Sequence, residues 1–134
     1  MADARAARLA RLRDALTAAH VDALLVSGRS NIRYLTGFSG SNALLVVSQA
    51  DVLLFSDYRY ETQAAAEAGA VARVVIESQS LWTGLWRDLV TLGGVQTVAL
   101  SRRTCCTGIL RVSWSTERAG SGGRARISWK RCAR

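Results

Sequence analysis

Apolar positions change their period along this chain, and each change marks an element. In residues 4–19, Ala6, Leu9, Leu12, Leu16 and Ala19 fall along one helical face while Arg5, Arg8, Arg11 and Asp14 project elsewhere, which predicts an amphipathic helix. Asp3 is placed to accept from the free N–H groups of its first turn, and His20 falls at its C-terminal end, where a cation is tolerated. Asp22 to Ser27 and Asn42 to Val47 are short continuous apolar runs, the pattern of strands buried on both faces. Only Ser48 to Asp51 separates the second run from Val52-Leu53-Leu54-Phe55, so the simplest join is an antiparallel hairpin.

Tyr58 to Ala68 is rich in helix formers and meets Gly69 where a helix would stop; Val71 to Ile76 reads as the next strand. In residues 80–92 the pairs Leu81/Trp82, Leu85/Trp86 and Leu89/Val90 recur every four residues, with Ser80 as cap and Gly93-Gly94 as stop. That spacing assigns both tryptophans to core packing. Val95 to Leu100 closes the series as a last strand. The order is helix, strand, short connection, two hairpin strands, helix, strand, helix, strand. It predicts one α/β domain over residues 1–100, a mixed β-sheet with helices packed on it.

The formal net charge of +8 changes this picture only at one end. Nine arginines balance nine acidic residues in residues 1–100, so the whole excess, with Cys105, Cys106 and Cys132, falls in residues 101–134. There the apolar pattern dissolves, with Ile109-Leu110 and Val112 its sole apolar cluster and Gly120-Ser121-Gly122-Gly123 loosening the backbone. Three readings stand open for this tail. As a disordered basic arm it would hold nucleic acid through phosphate contacts and stacking on Trp114 and Trp129. As a metal knuckle its thiols lack the usual zinc spacing. As sequence translated out of frame, its Arg, Gly, Ser, Cys and Trp bias follows from GC-rich coding. No run approaches the ~18 apolar residues of a membrane span, and no secretory signal core is present, so a cytoplasmic protein is expected.

Chemistry-bearing motifs are sparse. Nine scattered carboxylates and one histidine, His20, stand in the first hundred residues, with no HExxH and no phosphate-cradling glycine loop. Gly37-Phe38-Ser39-Gly40-Ser41 does not meet the GxSxG pattern of a nucleophile elbow. Asp57-Tyr58-Arg59-Tyr60 follows a strand and opens a helix, which makes Asp57 a cap and leaves Arg59 to solvent, an acidic neighbour or an interface.

Two of these segments, Asn31-Ile32-Arg33-Tyr34-Leu35-Thr36-Gly37-Phe38-Ser39-Gly40-Ser41-Asn42 and Asp57-Tyr58-Arg59-Tyr60-Glu61-Thr62-Gln63-Ala64, resemble in order and spacing the N-terminal domain of the creatinase, prolidase and Xaa-Pro aminopeptidase family. The resemblance runs from about Arg8 to about Val98 and stops there. It implies the non-catalytic half of a metallopeptidase, whose divalent metal pair (manganese, cobalt or zinc) belongs to a catalytic domain missing here. It further implies assembly with that domain or into a homo-oligomer, with proline-containing peptides met only indirectly; the alternatives are a small basic nucleic-acid-binding protein acting through residues 101–134 and a free-standing scaffold for a separately encoded catalytic chain. Phe38, Ser39, Ser41, Asn42 and Arg59 become candidates for interface and substrate gating. Asn31, Tyr34, Gly37, Gly40 and Asp57 become the structural motif, with Tyr34, Leu35 and Phe38 expected in the core and the two glycines in a tight turn. A family member would continue past its strand with an acidic residue and another amphipathic helix, so the domain is expected to be truncated and its tail disordered or out of frame. One base inserted or deleted near the codons for Val98 to Arg102 would account for the simultaneous change in charge, cysteine content, periodicity and resemblance.

Overall fold

The computed structural model describes residues 2–92, 95–101 and 108–110. Helix α1 (Ala2–Ala18) leads to strand β1 (Ala23–Val26), helix α2 (Arg29–Thr36), strands β2 (Ala43–Ser48) and β3 (Val52–Asp57), a 3₁₀ turn (Tyr58–Tyr60), helix α3 (Glu61–Ala68), strand β4 (Arg73–Glu77), helix α4 (Leu81–Thr91) and strands β5 (Val98–Ser101) and β6 (Gly108–Leu110). The strands form one mixed sheet in the order β4-β3-β2-β1-β5-β6. The expected hairpin is antiparallel, with Leu45 opposite Leu54, while β3–β4 and β1–β5 are parallel.

Alternate residues of the central strands feed two cores. Val26, Leu45, Val47, Val52 and Leu54 pack against Leu9 of α1, Ile32 and Leu35 of α2, and Ala64 and Ala68 of α3. Ala23, Leu25, Leu44, Val46, Leu53 and Phe55 turn the other way and meet Leu81, Leu85 and Leu89 of α4. Both-faced burial explains the unbroken apolar runs, since neither face of these strands reaches water. Fully burying a residue such as Phe55 contributes about 1.5–3 kcal/mol.

Three local expectations are corrected. The connection before β2 contains α2, because Ile32, Leu35 and Thr36 at helical spacing all face the core, and Gly37 ends the helix in the left-handed region at φ 86°. On α1, Arg5 and Arg8 do not project away: Arg5 Nη1 donates to Thr36 O at 2.7 Å and Glu67 O at 2.6 Å, while Arg8 Nη1 donates to Tyr34 O at 2.8 Å. Ala6 and Ala19 are exposed in their stead. On α4 only the leucine of each pair is buried; Trp86 packs at the margin, and Trp82 and Val90 are exposed, because a helix on one sheet face buries one stripe rather than two.

The structureless tail is corrected over one stretch. Gly108–Leu110 pairs antiparallel with β5, Ile109 opposite Ala99, because the outer edge of β5 offers unpaired backbone groups to an adjacent apolar triplet. The remaining tail expectations and the Gly93-Gly94 stop lie outside the described residues, and so does the Asp3 side chain, whose backbone is already within α1. Ser80 takes the extended N-cap conformation of α4 but makes no side-chain capping bond.

The end of α1 carries a local cost. Val21 N donates to Leu16 O at 3.0 Å and His20 N to Thr17 O at 3.1 Å, the paired bonds of a Schellman motif, with Leu16 and Val21 buried together. His20 occupies the left-handed position of that motif at φ 54°, where glycine is the unstrained residue. His20→Gly is expected to stabilise the fold by about 0.5–1 kcal/mol, read as a higher urea midpoint at unchanged slope. Arg5→Met is expected to cost about 1–3 kcal/mol in the same assay, because it leaves two carbonyls of different helices without their charged donor.

Candidate functional site

Where β1 and β3 end and β2 begins, the chain turns back on itself through Phe38 to Asn42, and this corner gathers most of the candidate residues. Gly37 N donates to Arg33 O at 2.8 Å and closes α2, and Thr36, fully buried, donates Oγ1 to Ile32 O at 2.7 Å and accepts from Phe38 N at 3.2 Å. Phe38 is thereby driven into the core edge-on to Tyr60, ring centroids 5.7 Å apart. Gly40 is required by that ring, because a Cβ at residue 40 would overlap it.

Each polar residue beyond Phe38 has a fixed partner. Ser39 N donates to Glu67 Oε2 at 2.8 Å, Ser39 Oγ donates to Glu67 Oε1 at 2.9 Å, and Gln63 Nε2 donates to Ser39 Oγ at 2.9 Å. The Ser39 N–H bond is the largest influence holding the Glu67 carboxyl below its usual range, and the charge of Arg33 adds to it. Ser41 Oγ and Tyr60 OH share a hydrogen bond of 2.6 Å, and Asn42 Nδ2 donates to Asp57 Oδ2 at 2.7 Å.

Asp57 is the hub. Its Oδ1 accepts from Arg59 N and Arg59 Nε, each at 3.0 Å, and its Oδ2 accepts from Arg59 Nη2 at 2.8 Å. The cap expected of Asp57 is therefore present, and Arg59 is both exposed and held by its acidic neighbour. The Arg59 side chain, then Asn42, depress the Asp57 carboxyl far below the usual carboxylate range. The Arg59 guanidinium also lies 5.5 Å from the Tyr60 ring centroid. Phe38, Ser39, Ser41, Asn42, Asp57 and Arg59 thus form one bonded corner in the fold.

Two motif residues stand elsewhere. Asn31 Nδ2 donates to Ser101 Oγ at 3.4 Å, tying α2 to β5. Tyr34 is 57% exposed rather than in the core, because the buried side of α2 is used by Ile32, Leu35 and Thr36; the Arg8 guanidinium covers it 4.2 Å from the ring centroid. The sequence reading gave no role to Glu67, Gln63 or Arg5, which anchor the corner from α3 and α1. Gln63 and Glu67, four apart on one helical face, were a signal that the pair could grip a single loop.

A cavity of about 160 Å³ opens beside the loop, lined by Arg29, Ser30, Arg33, Phe38, Ser39 and Gly40. With Arg29 and Arg33 among its lining residues, the cavity favours an anionic group over a cation. Ser39 does not have the surroundings of a nucleophile: its hydroxyl is bonded to Glu67, and His20 lines a separate cleft of about 440 Å³ with Asp22 and Asp51. Among the described residues no three His, Cys, Asp or Glu side chains converge as metal ligands.

A folded-state carboxyl pKa below its unfolded value adds stability above about pH 4, and this is lost as pH falls from there. Asp57→Asn should therefore destabilise the domain at pH 7 relative to the unaltered chain. The gap between the two midpoints in urea should narrow steadily below about pH 4.

Residues 8–108 match the Creatinase/Prolidase N-terminal domain family. The N-terminal domain of the cytoplasmic peptidase PepQ from Mycobacterium tuberculosis H37Rv superposes with a TM-score of 0.64 at 37% identity, over 71% of this chain and 72% of that one. The Xaa-Pro dipeptidase from Bacillus anthracis shares the fold, with a TM-score of 0.69 at 23% identity, over 75% of this chain and 28% of that one. The uncharacterized peptidase YqhT of Bacillus subtilis (strain 168) is 37% identical over 57 residues, 42% of this chain and 16% of that protein. The chain thus spans well under a third of the length of these two longer relatives. With its mixed sheet, its Phe38 to Asn42 corner and a match covering residues 8–108, the chain belongs to the Creatinase/Prolidase N-terminal domain family.

Proposed function

We propose that the chain is the non-catalytic N-terminal part of a Xaa-Pro aminopeptidase or prolidase-type metallopeptidase. In this reading Ser39, Ser41, Asn42 and Arg59 serve subunit assembly and narrow the approach of peptides to a catalytic domain, while Phe38, buried in the core, is removed from the gating candidates and holds the loop in place. The observation that carries it is the Phe38 to Asn42 corner: a surface loop whose Ser39, Ser41 and Asn42 are each bonded to a different residue of the segment 57–67. A loop so anchored presents a defined shape, as a gate or a specific interface requires. The arginine-lined cavity beside it suits a peptide's negative end.

The reaction class is supported by the kinship with the peptidases PepQ and YqhT, and the same compartment by PepQ being a cytoplasmic peptidase. Hydrolysis itself, with its pair of divalent ions, is assigned to a separate domain. In this reading a frame change near the codons for Val98 to Arg102 leaves every residue after it, Gly108–Leu110 included, out of frame, with that domain encoded downstream in another frame.

The homogeneous chain is expected to show no turnover of Xaa-Pro peptides with added manganese, cobalt or zinc, whereas the product of the restored downstream frame should hydrolyse them. In that longer enzyme, Ser41→Ala with Asn42→Ala should change the preference between dipeptides and longer peptides several-fold while leaving metal content unchanged. An unchanged preference would remove the gating role, and turnover by the present chain would remove the division of labour.

A further inference from the structure

Helix α2 and strand β2 are fixed by their own backbone bonds, but from Phe38 to Ser41 no backbone group bonds another backbone group among the described residues. Side chains hold the stretch instead. Thr36 Oγ1 accepts from Phe38 N inside the core, Tyr60 OH meets Ser41 Oγ, and the Glu67 carboxylate accepts from both the N–H and the hydroxyl of Ser39. Of these three clamps only Glu67 carries a charge, and a hydrogen bond to an ionised acceptor is about twice as strong as a neutral one.

Glu67 is in turn kept from swinging away. Gln63 Nε2, one turn earlier on α3, lies 3.3 Å from Oε1 and 3.2 Å from Oε2, and it also donates to Ser39 Oγ at 2.9 Å. The charged groups on the elements packed against Glu67 are both cations. Arg33 of α2 acts on the carboxylate through its charge, and Arg5 of α1 bonds the Glu67 backbone carbonyl at 2.6 Å. Surroundings of this kind favour the ionised form of the side chain, which is the form that can accept from both Ser39 donors at once.

We propose that Glu67 is the positioning residue of the gating loop: as a carboxylate it locks Ser39 and thereby sets the conformation in which Ser41 and Asn42 meet an approaching peptide. The inference rests on the gating role proposed above and adds the residue, outside the loop itself, that sets the gate. It also makes the gate sensitive to acid. A proton on Glu67 turns one acceptor oxygen into a donor and removes a Ser39 bond, so the loop is held above the ordinary glutamate range and loosens as pH falls below it.

The test begins with amide NMR on the full chain. The Ser39 amide proton should shift as Glu67 takes up its proton, with a midpoint below the ordinary glutamate value, while the β2 amides hold their positions and verify the fold. Glu67→Gln should abolish that titration and speed exchange of the Ser39 amide about five- to tenfold relative to the β2 amides. Glu61→Gln, an exposed carboxylate on the same helix, should do neither. In the longer enzyme of the restored frame, Glu67→Gln should move the preference between dipeptides and longer peptides in the same direction as Ser41→Ala with Asn42→Ala. A Ser39 amide that neither titrates nor loosens on Glu67→Gln would overturn the proposal and leave the gating role standing. So would a preference moved by the Ser41 and Asn42 changes but not by Glu67→Gln. A preference unmoved by either would remove the gating role and this inference with it.

Discussion

Burial of β2 and β3 on both faces is the constraint from which the rest of this structure follows. A strand that hides both rows of side chains cannot lie against water, so the sheet must receive helices on each side. The chain meets this unequally. Among the described residues, helices α1, α2 and α3 share one face, while α4 alone serves the other. The crowded face needs extra fastening, because three helix surfaces must be fitted to one another as well as to the sheet. Arg5 supplies it, since one guanidinium bonds the C-terminal carbonyls of both α2 and α3. The sparse face pays in exposure, leaving Trp82 and Val90 open on the flank of α4.

The Phe38 to Asn42 corner grows out of the crowded face. Thr36 and Gly37 end α2, Phe38 plugs the core, and the chain is then free to turn toward β2. The carbonyl that Arg5 grips on α3 belongs to Glu67, whose side chain holds Ser39. One residue therefore couples the packing of three helices to the position of the loop. That arrangement holds the loop as a precise surface.

The elements were legible from the sequence wherever one kind of burial ran for several residues. Strands β1, β2 and β3 announced themselves as unbroken apolar runs, and α4 as leucines recurring every four residues. Helix α2 did not, because Asn31, Arg33 and Tyr34 break its apolar face and its eight residues span little more than two turns. Its turn-forming end at Gly37 disguised it further as a loop. The pairing of β6 with β5 was hidden for a related reason: three residues carry no period. At the site, Asp57 as a cap could be read from a strand-to-helix junction, which is local. The grip of Glu67 and Gln63 on Ser39 joins residues 28 and 24 positions apart, and Arg5 reaches Glu67 across 62. Contacts of that span depend on the assembled layers, and no window of sequence contains them.

Native-state amide exchange followed residue by residue tests the central constraint most directly. If two-faced burial of β2 and β3 organises the domain, their amides should exchange slowest, and all at the same free energy, that of global unfolding, with β4 and β6 at the sheet edges opening more readily. Exchange of β2 and β3 as fast as that of the edge strands would contradict the account, since the sheet would then not be the element on which the helices, the Arg5 contacts and the Phe38 to Asn42 corner depend.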